Sequence, residues 1–152
     1  TKTNLNDIVK QGLSLLESRC VSEGIDLKYI LCSALPEIEA DALQIRQVFV
    51  SLMVNAMQAM PQGGTITIRT QKKRAKVSLA IEDTGCGMEE EILQKIFNPF
   101  FTTKEVGIGT GLGLPVVHGI IKAHKGAINF ESKVGIGTKC IIELPARRSR
   151  TC

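Results

Sequence analysis

The chain has 152 residues, enough for one compact domain with its own core, and its 43% hydrophobic and 22% charged content is ordinary for a globular protein. The formal net charge is +4, but three of the positive charges are arginines in the last six residues. The rest of the chain therefore offers little electrostatic basis for binding nucleic acid. Aromatic residues make up only 4% of the chain, which argues against a base-stacking surface.

The five cysteines are scattered, with no C-x-x-C pair and no histidine at metal-ligand spacing. We interpret them as reduced thiols and expect a cytoplasmic location. No segment approaches the roughly 20 apolar residues of a membrane-spanning helix, and no signal peptide is evident. Because the chain begins at Thr1 and its first residues already look helical, we interpret it as a fragment of a longer protein.

Hydrophobic periodicity divides the chain into helices and strands. Asp41 is a good N-cap for the second long helix, and the two strands after that helix form a predicted hairpin. These elements predict a two-layer α/β sandwich of the α+β class, with a mixed, mostly antiparallel sheet of about five strands and three main helices on one face. The predicted elements are, in order, a helix over 5–20, a strand over 25–33, a helix over 42–59, strands over 65–69 and 77–81, a short helix over 89–96, a mobile loop over 97–111, a helix over 112–124, and strands over 127–132 and 138–144.

A glycine-rich run stands directly before the third long helix. Residues 107–114 are Gly-Ile-Gly-Thr-Gly-Leu-Gly-Leu, and a glycine-rich backbone joined to a helix N-terminus suits a phosphate group. The run lacks the Lys-Ser/Thr of a P-loop and the spacing of a G-x-G-x-x-G fingerprint. A flexible linker is the alternative, although the helical apolar stripe that follows at once speaks against it.

Three further motifs each allow a structural and a functional interpretation. Asn55 lies among apolar residues of a predicted helix. It is either a core amide whose hydrogen bonds are satisfied or an oxygen ligand for Mg²⁺. A second motif ends a predicted strand and reads Asp83-Thr84-Gly85-Cys86-Gly87. It is either a plain turn or an adenine site in which the carboxylate accepts a hydrogen bond from the exocyclic amine. In the segment 97–104, Lys104 is either a solvated charge or a ligand for a terminal phosphate. The sequence places no Ser or Cys nucleophile with an acid partner against His118 or His124, and we interpret both as structural.

Taken in order, the segments N-A-x-x-A, D-x-G-x-G, F-x-P-F-F-T-T-K and G-x-G-L-G-L resemble the four sequence boxes of the histidine-kinase ATP-binding domain. That domain belongs to a superfamily shared with gyrase-type topoisomerases, MutL-type repair proteins and heat-shock chaperones. The segment from Gln47 through Pro61 and Gly63-Gly64, with its F-F-T-T-K loop, is similar to sensor kinases of the nitrogen-regulation type. The resemblance covers about residues 1–145 and implies the Bergerat-type fold, with residues 146–152 as a basic, disordered tail.

The resemblance also implies roles for individual residues. ATP and Mg²⁺ would be the bound groups, with Asn55 and Lys104 at the catalytic phosphates and Asn55 as the metal ligand. Asp83 would bind the adenine amine. The remaining implied cofactor-binding positions are Gly85 and Gly87 at the base, Thr138 near it, and Gly109, Gly111, Leu112 and Gly113 at the phosphates.

Two departures from the family pattern affect the expected chemistry. Ser51 stands one helical turn before Asn55, where gyrase-, repair- and chaperone-type members carry an acidic general base. Gln58 stands where many relatives place a Lys or His near the phosphates. We therefore expect phosphoryl transfer rather than efficient hydrolysis, and a modest affinity for the triphosphate.

The implied partner is a dimerisation domain of the full-length protein, absent from this chain, whose histidine accepts the γ-phosphoryl group. A response regulator would be reached indirectly, the isolated domain would be a monomer that does not phosphorylate itself, and no nucleic acid would be bound. The alternatives are a non-catalytic ATP/ADP-sensing module and, less favoured, an ATP hydrolase. Whether the full-length protein is membrane-anchored stays open.

Overall fold

The computed structural model describes residues 1–94 and 113–146. Within these ranges, no helix is both long and apolar enough to cross a membrane. The elements are, in chain order, β1 (Lys2–Thr3), α1 (Leu5–Ser22), β2 (Ile25–Ile30), β3 (Ile38–Glu39), α2 (Ala42–Gln58), β4 (Gly64–Lys73), β5 (Lys76–Asp83), α3 (Glu90–Leu93), α4 (Leu114–Ala123), β6 (Ala127–Lys133) and β7 (Gly137–Pro145).

A five-stranded sheet in the order β2-β4-β5-β7-β6 forms one layer. β2 pairs in parallel with β4, and the other neighbours pair antiparallel. The second layer is built by α1, α2 and α4, with α2 in contact with both other helices and with β5. The prediction of a mixed, mostly antiparallel sheet with three main helices is confirmed.

Side chains alternate across the sheet as the pattern of the strands requires. Ile66, Ile68 and Ile81 are buried, whereas Arg69 and Glu82, which directly follow Ile68 and Ile81, are exposed. The helices contribute the matching apolar stripes, and Asp41 caps α2 by accepting hydrogen bonds from the backbone N–H groups of its first turn. One face of the sheet therefore carries the core, and the binding site is built at an end of that face.

Two details differ from the sequence-based prediction. The strand predicted over 25–33 is β2, which ends at Ile30. It ends there because side chains, not a neighbouring strand, satisfy the backbone hydrogen bonds of Cys32. The Cys32 N–H donates to Thr70 Oγ1 at 2.8 Å, and its carbonyl accepts from Asn6 Nδ2 at 2.7 Å. The two-residue strands β1 and β3, which pair with each other, were not predicted because they are too short to show a period.

The packing of α1 on α2 depends on a glycine. Gly12 lies against the ring of Phe49, which is fully buried, and a Cβ added at Gly12 would lie 2.6 Å from Phe49 Cε2. A Cβ carbon cannot approach an aromatic ring so closely, so either the helices would separate or the ring would leave its rotamer. About two turns further on, Cys20 Sγ contacts Met57 Sδ at 3.8 Å across the same interface.

We predict that Gly12→Ala destabilises the domain relative to Gly119→Ala in α4. Both substitutions gain about 1 kcal/mol of helix propensity, but a Cβ at Gly119 meets no atom within 4 Å. The difference between the two free energies of unfolding, measured by urea denaturation, should be about 1–3 kcal/mol against Gly12→Ala. Equal effects of the two substitutions would contradict the packing described for α1 and α2.

Candidate functional site

Asp83 is the last residue of β5 and lies on the side of the sheet that faces the helices. It pairs with Ile66 of β4 and is 7% exposed. Its Oδ1 accepts two backbone hydrogen bonds, from Gly85 N–H at 2.9 Å and from Thr138 N–H at 3.2 Å. The first of these closes an Asx turn within the loop, and the second ties the loop to β7.

Burial raises the pKa of the Asp83 carboxyl above its ordinary value. The hydrogen bonds from Gly85 and Thr138 act in the opposite direction, and the charge of Glu82 adds to the increase. Among the described residues, no donor is hydrogen-bonded to Oδ2, and none of their fully buried side-chain polar atoms lacks a partner. Oδ2 is therefore not sealed inside the core, and it is available as an acceptor for a ligand.

The loop that follows Asp83 is packed backbone to backbone against two other segments. Cys86 N–H donates to the Ala59 carbonyl at the end of α2, at 3.2 Å, and the Cys86 carbonyl accepts from Gly135 N–H at 2.8 Å. Gly135 belongs to the turn between β6 and β7, so the loop lies between that turn and the end of α2. Three elements distant in sequence thus meet at the edge of the site.

Two glycines make this close approach possible. Gly87 has φ +72°, and a Cβ there would lie 2.6 Å from the carbonyl carbon of Lys133. Gly137 has φ +142°, and a Cβ there would lie 3.0 Å from the carbonyl carbon of Asp83. Both positions therefore require glycine on conformational and on steric grounds. Gly85 is also crowded, since its Cβ would lie 2.6 Å from the Ala59 carbonyl oxygen.

Thr138 belongs to a hydrogen-bonded group that sequence reasoning did not find. Its Oγ1 lies 2.8 Å from Oγ of Ser132 on the neighbouring strand β6. Ser132 Oγ also accepts from Met88 N–H at 2.7 Å and lies 3.1 Å from the Gly137 carbonyl oxygen. The signal that would have revealed Ser132 is its position opposite Thr138 in the β6–β7 hairpin.

Asn55 is half-buried on α2, one turn before Ala59. Residues four apart lie on the same face of a helix, so the face that carries Asn55 leads to the contact between Ala59 and the Asp83 loop. No hydrogen bond joins the Asn55 side chain to another residue in the described part of the chain. The same part of the chain contains no cluster of three or more His, Cys, Asp or Glu side chains that could hold a metal.

The glycine-rich segment is only partly described. Lys104, Gly109, Gly111 and Leu112 lie outside the described residues. Gly113 is the exposed N-cap of α4, and its carbonyl accepts from Val116 N–H at 3.0 Å. The helix predicted over 112–124 spans Leu114–Ala123 in the described residues.

The interpretation of His124 as structural agrees with its contacts. The Nδ1–H donates to the Ile120 carbonyl at 2.8 Å, and Nε2 accepts from Asp41 N–H at 3.1 Å. Because Nε2 accepts from the Asp41 N–H, Nδ1 is the ring nitrogen that donates. His124 thereby joins the end of α4 to the start of α2.

The α/β sandwich, which carries a buried carboxylate at the end of its central strand, agrees with comparisons to known proteins. Residues 40–148 match the profile of the family described as histidine kinase-, DNA gyrase B- and HSP90-like ATPase. The sensor kinase CckA of Brucella abortus is 45% identical over 93% of this chain and 16% of its own length. The chain spans between 16% and 33% of the length of the curated relatives it resembles.

Solved structures agree with the sequence comparison. The catalytic domain of histidine kinase ThkA superposes with a TM-score of 0.87 at 35% identity, covering 96% of this chain and 95% of that one. ThkA in complex with the response regulator TrrA gives a TM-score of 0.83 at 32% identity, covering 97% of this chain and 42% of that one. The fold and the family match define a nucleotide-binding domain. The chain belongs to the histidine kinase, gyrase and HSP90 ATPase family and is a histidine-kinase ATP-binding catalytic domain.

We predict that Gly87→Ala weakens ATP binding and lowers stability more than Gly135→Ala does. Both glycines have left-handed backbone, with φ +72° and +80°, but a Cβ at Gly135 meets nothing within 4 Å. The shared conformational strain cancels between the two variants, so their difference isolates the clash with Lys133. Calorimetric ATP affinities and melting temperatures measure it, and equal losses in the two variants would contradict the packing of the loop.

Proposed function

We propose that this domain binds ATP–Mg²⁺ and donates the γ-phosphoryl group to a histidine on a separate dimerisation domain of the full-length protein. The observation that carries the proposal is the buried carboxylate of Asp83, whose Oδ1 is held by two backbone N–H groups while Oδ2 stays available. An immobilised acceptor at the end of the central strand suits the exocyclic amine of adenine. Guanine presents a carbonyl oxygen at the same place, which would leave two acceptors facing each other.

The base would lie against Asp83, the glycines Gly85 and Gly87, and Thr138. Support comes from the hydrogen bond between Thr138 N–H and Asp83 Oδ1, which sets the two residues side by side. The glycines keep the loop close to α2 and to the β6–β7 turn. The base would therefore meet a surface whose shape is fixed before the ligand arrives.

The metal and the phosphates would lie further along α2 toward the N-terminus of α4. An amide oxygen from Asn55, completed by water and phosphate oxygens, fits the preference of Mg²⁺ for oxygen ligands. Bound Mg²⁺ would neutralise charge on the transferring phosphoryl group. Gly109, Gly111, Leu112 and Gly113 would offer backbone N–H groups to the phosphates, and Lys104 would add a cation.

The partners of the domain follow from the proposed reaction. The phosphoacceptor histidine lies on a dimerisation domain of the same full-length protein, and a response regulator receives the phosphoryl group afterwards. The solved complex of ThkA with TrrA supports a response regulator as a partner, because it joins a related kinase to one. We propose that residues 1–145 form one unit, since α1 packs on α2 in a common core. We also propose that this unit is a monomer in isolation.

We further propose a cytoplasmic location, because the four described cysteines are unpaired thiols.

Phosphoryl transfer in trans tests the proposal. The chain is incubated with γ-labelled ATP and a separately produced dimerisation domain that carries the phosphoacceptor histidine. Acid-labile, base-stable label on that domain is the expected result, with release of phosphate slow in its absence because Ser51 cannot act as a general base at neutral pH. Nucleotide binding without label on histidine would indicate a sensing module instead, and rapid phosphate release by the chain alone would indicate a hydrolase.

We predict that Asp83→Asn lowers ATP affinity about 10- to 100-fold, the loss of one charge-assisted hydrogen bond. Asn keeps an oxygen for Gly85 and Thr138 but turns an NH₂ group toward the amine. A carboxyl whose pKa is raised by folding contributes stability below its ordinary pKa and loses that contribution as the pH rises, so the substitution should not destabilise the fold at neutral pH. Calorimetry measures the affinity, exposed Asp26→Asn is the control, and unchanged ATP affinity would refute the adenine assignment.

We predict that Asn55→Ala abolishes the dependence of ATP binding on Mg²⁺. The native chain should bind ATP more tightly in Mg²⁺ than in chelator, and the variant should bind equally in both. The substitution favours the helix by a few tenths of a kcal/mol, so a loss of binding cannot be attributed to unfolding. Exposed Asn129→Ala serves as the control. Equal affinity of the native chain in Mg²⁺ and in chelator would refute the metal role.

A further inference from the structure

We infer that Ser132 is a positioning residue: it fixes the hydroxyl of Thr138 as a hydrogen-bond acceptor and so favours a 6-aminopurine over a 6-oxopurine. The inference rests on the proposed adenine site at Asp83 and adds a residue to it. Ser132 would not touch the nucleotide. It would act through Thr138, whose backbone N–H is bonded to the carboxylate.

The sheet register places the three residues together. Ser132 pairs with Thr138 across β6 and β7. Thr138 lies two residues before Cys140, which pairs with Ile81 of β5, and Asp83 lies two residues after Ile81. Because side chains two apart share a face, all three side chains lie on the helix-facing side at the same end of the sheet. The bond from Thr138 N–H to Asp83 Oδ1, at 3.2 Å, holds that arrangement.

The protons around Ser132 can be assigned by counting donors and acceptors. A serine hydroxyl has one proton and two lone pairs. One lone pair accepts from Met88 N–H at 2.7 Å. The proton goes to the Gly137 carbonyl oxygen at 3.1 Å, because a carbonyl can only accept. The contact of 2.8 Å with Thr138 Oγ1 must then use the second lone pair, with Thr138 as the donor.

The opposite arrangement is poorer by one hydrogen bond. If Ser132 donated to Thr138, the Gly137 carbonyl would face a hydroxyl without a proton, and one lone pair of Ser132 would be empty. Only the first arrangement fills the hydrogen-bonding capacity of Ser132. In that arrangement the Thr138 proton is engaged, and only lone pairs of Oγ1 remain for a ligand.

Two acceptors would then face the base, Asp83 Oδ2 and Thr138 Oγ1. A 6-amino group has two protons to offer them, either directly or through a water molecule. A 6-oxo group has only lone pairs, and Thr138 cannot reverse its hydroxyl to help it while Ser132 holds the proton. The discrimination against the 6-oxopurine therefore depends on Ser132 as well as on Asp83.

The test compares the dissociation constants of ATP and ITP for the 152-residue chain and its variants. Ser132→Ala frees the Thr138 hydroxyl to rotate, and the ITP-to-ATP ratio of Kd should fall about three- to tenfold, as for one neutral hydrogen bond. Ser132→Thr keeps the hydroxyl and should keep the ratio within about twofold. Thr138→Val removes the lone pairs and should lower the ratio by itself, which provides a second arm if Ser132→Ala does not fold.

A double-mutant cycle separates positioning from a purely structural role. In the Thr138→Val background, adding Ser132→Ala should leave the ratio unchanged, because no hydroxyl remains to be oriented. An unchanged ratio in folded Ser132→Ala, or the same change in both backgrounds, would overturn the inference, as would equal weakening of both nucleotides. If Asp83→Asn weakens ATP binding while the ratio is unchanged in Ser132→Ala, only this inference fails. If Asp83→Asn leaves ATP binding intact, the proposed adenine site fails.

Discussion

The rest of the site depends on one carboxylate oxygen. Oδ1 of Asp83 is shared by backbone N–H groups of Gly85, in its own loop, and Thr138, in a strand far away in sequence. The two bonds fix the loop on the sheet and orient the carboxyl group. They do not fully offset the cost of burial, since the pKa of Asp83 remains raised. A carboxyl kept at such a cost is typical of a binding site rather than of a core.

The second constraint is the absence of side chains where backbones meet. Gly87 and Gly137 let the Asp83 loop and the β6–β7 turn approach to distances that a Cβ would prohibit. The same loop is bonded to Ala59 at the end of α2, one turn after Asn55. The proposed adenine site and the proposed metal ligand are therefore joined by a short, continuous stretch of hydrogen-bonded backbone, which would align the base with the phosphates.

Much of the fold was predictable because its determinants are local. The amphipathic helices, the Asp41 cap and the β4–β5 hairpin follow from spacing and turn chemistry, and the family follows from four motifs in order. The end of β2 at Ile30 was not predictable, because the backbone of Cys32 is hydrogen-bonded by the side chains of Thr70 and Asn6, which are distant in sequence. For the same reason the motifs indicated Asp83 and Thr138 but not Ser132, whose contacts with Met88 and Thr138 form only once β6 lies beside β7.

The structure of the chain bound to a non-hydrolysable ATP analogue with Mg²⁺ tests the central claim most directly. We predict that the exocyclic amine lies about 3 Å from Asp83 Oδ2, while Oδ1 keeps its bonds from Gly85 and Thr138. The loop should move little between the free and bound states, because its packing is complete without nucleotide. An adenine bound elsewhere, or an Asp83 side chain that must rotate away from Thr138 to reach the base, would contradict this account.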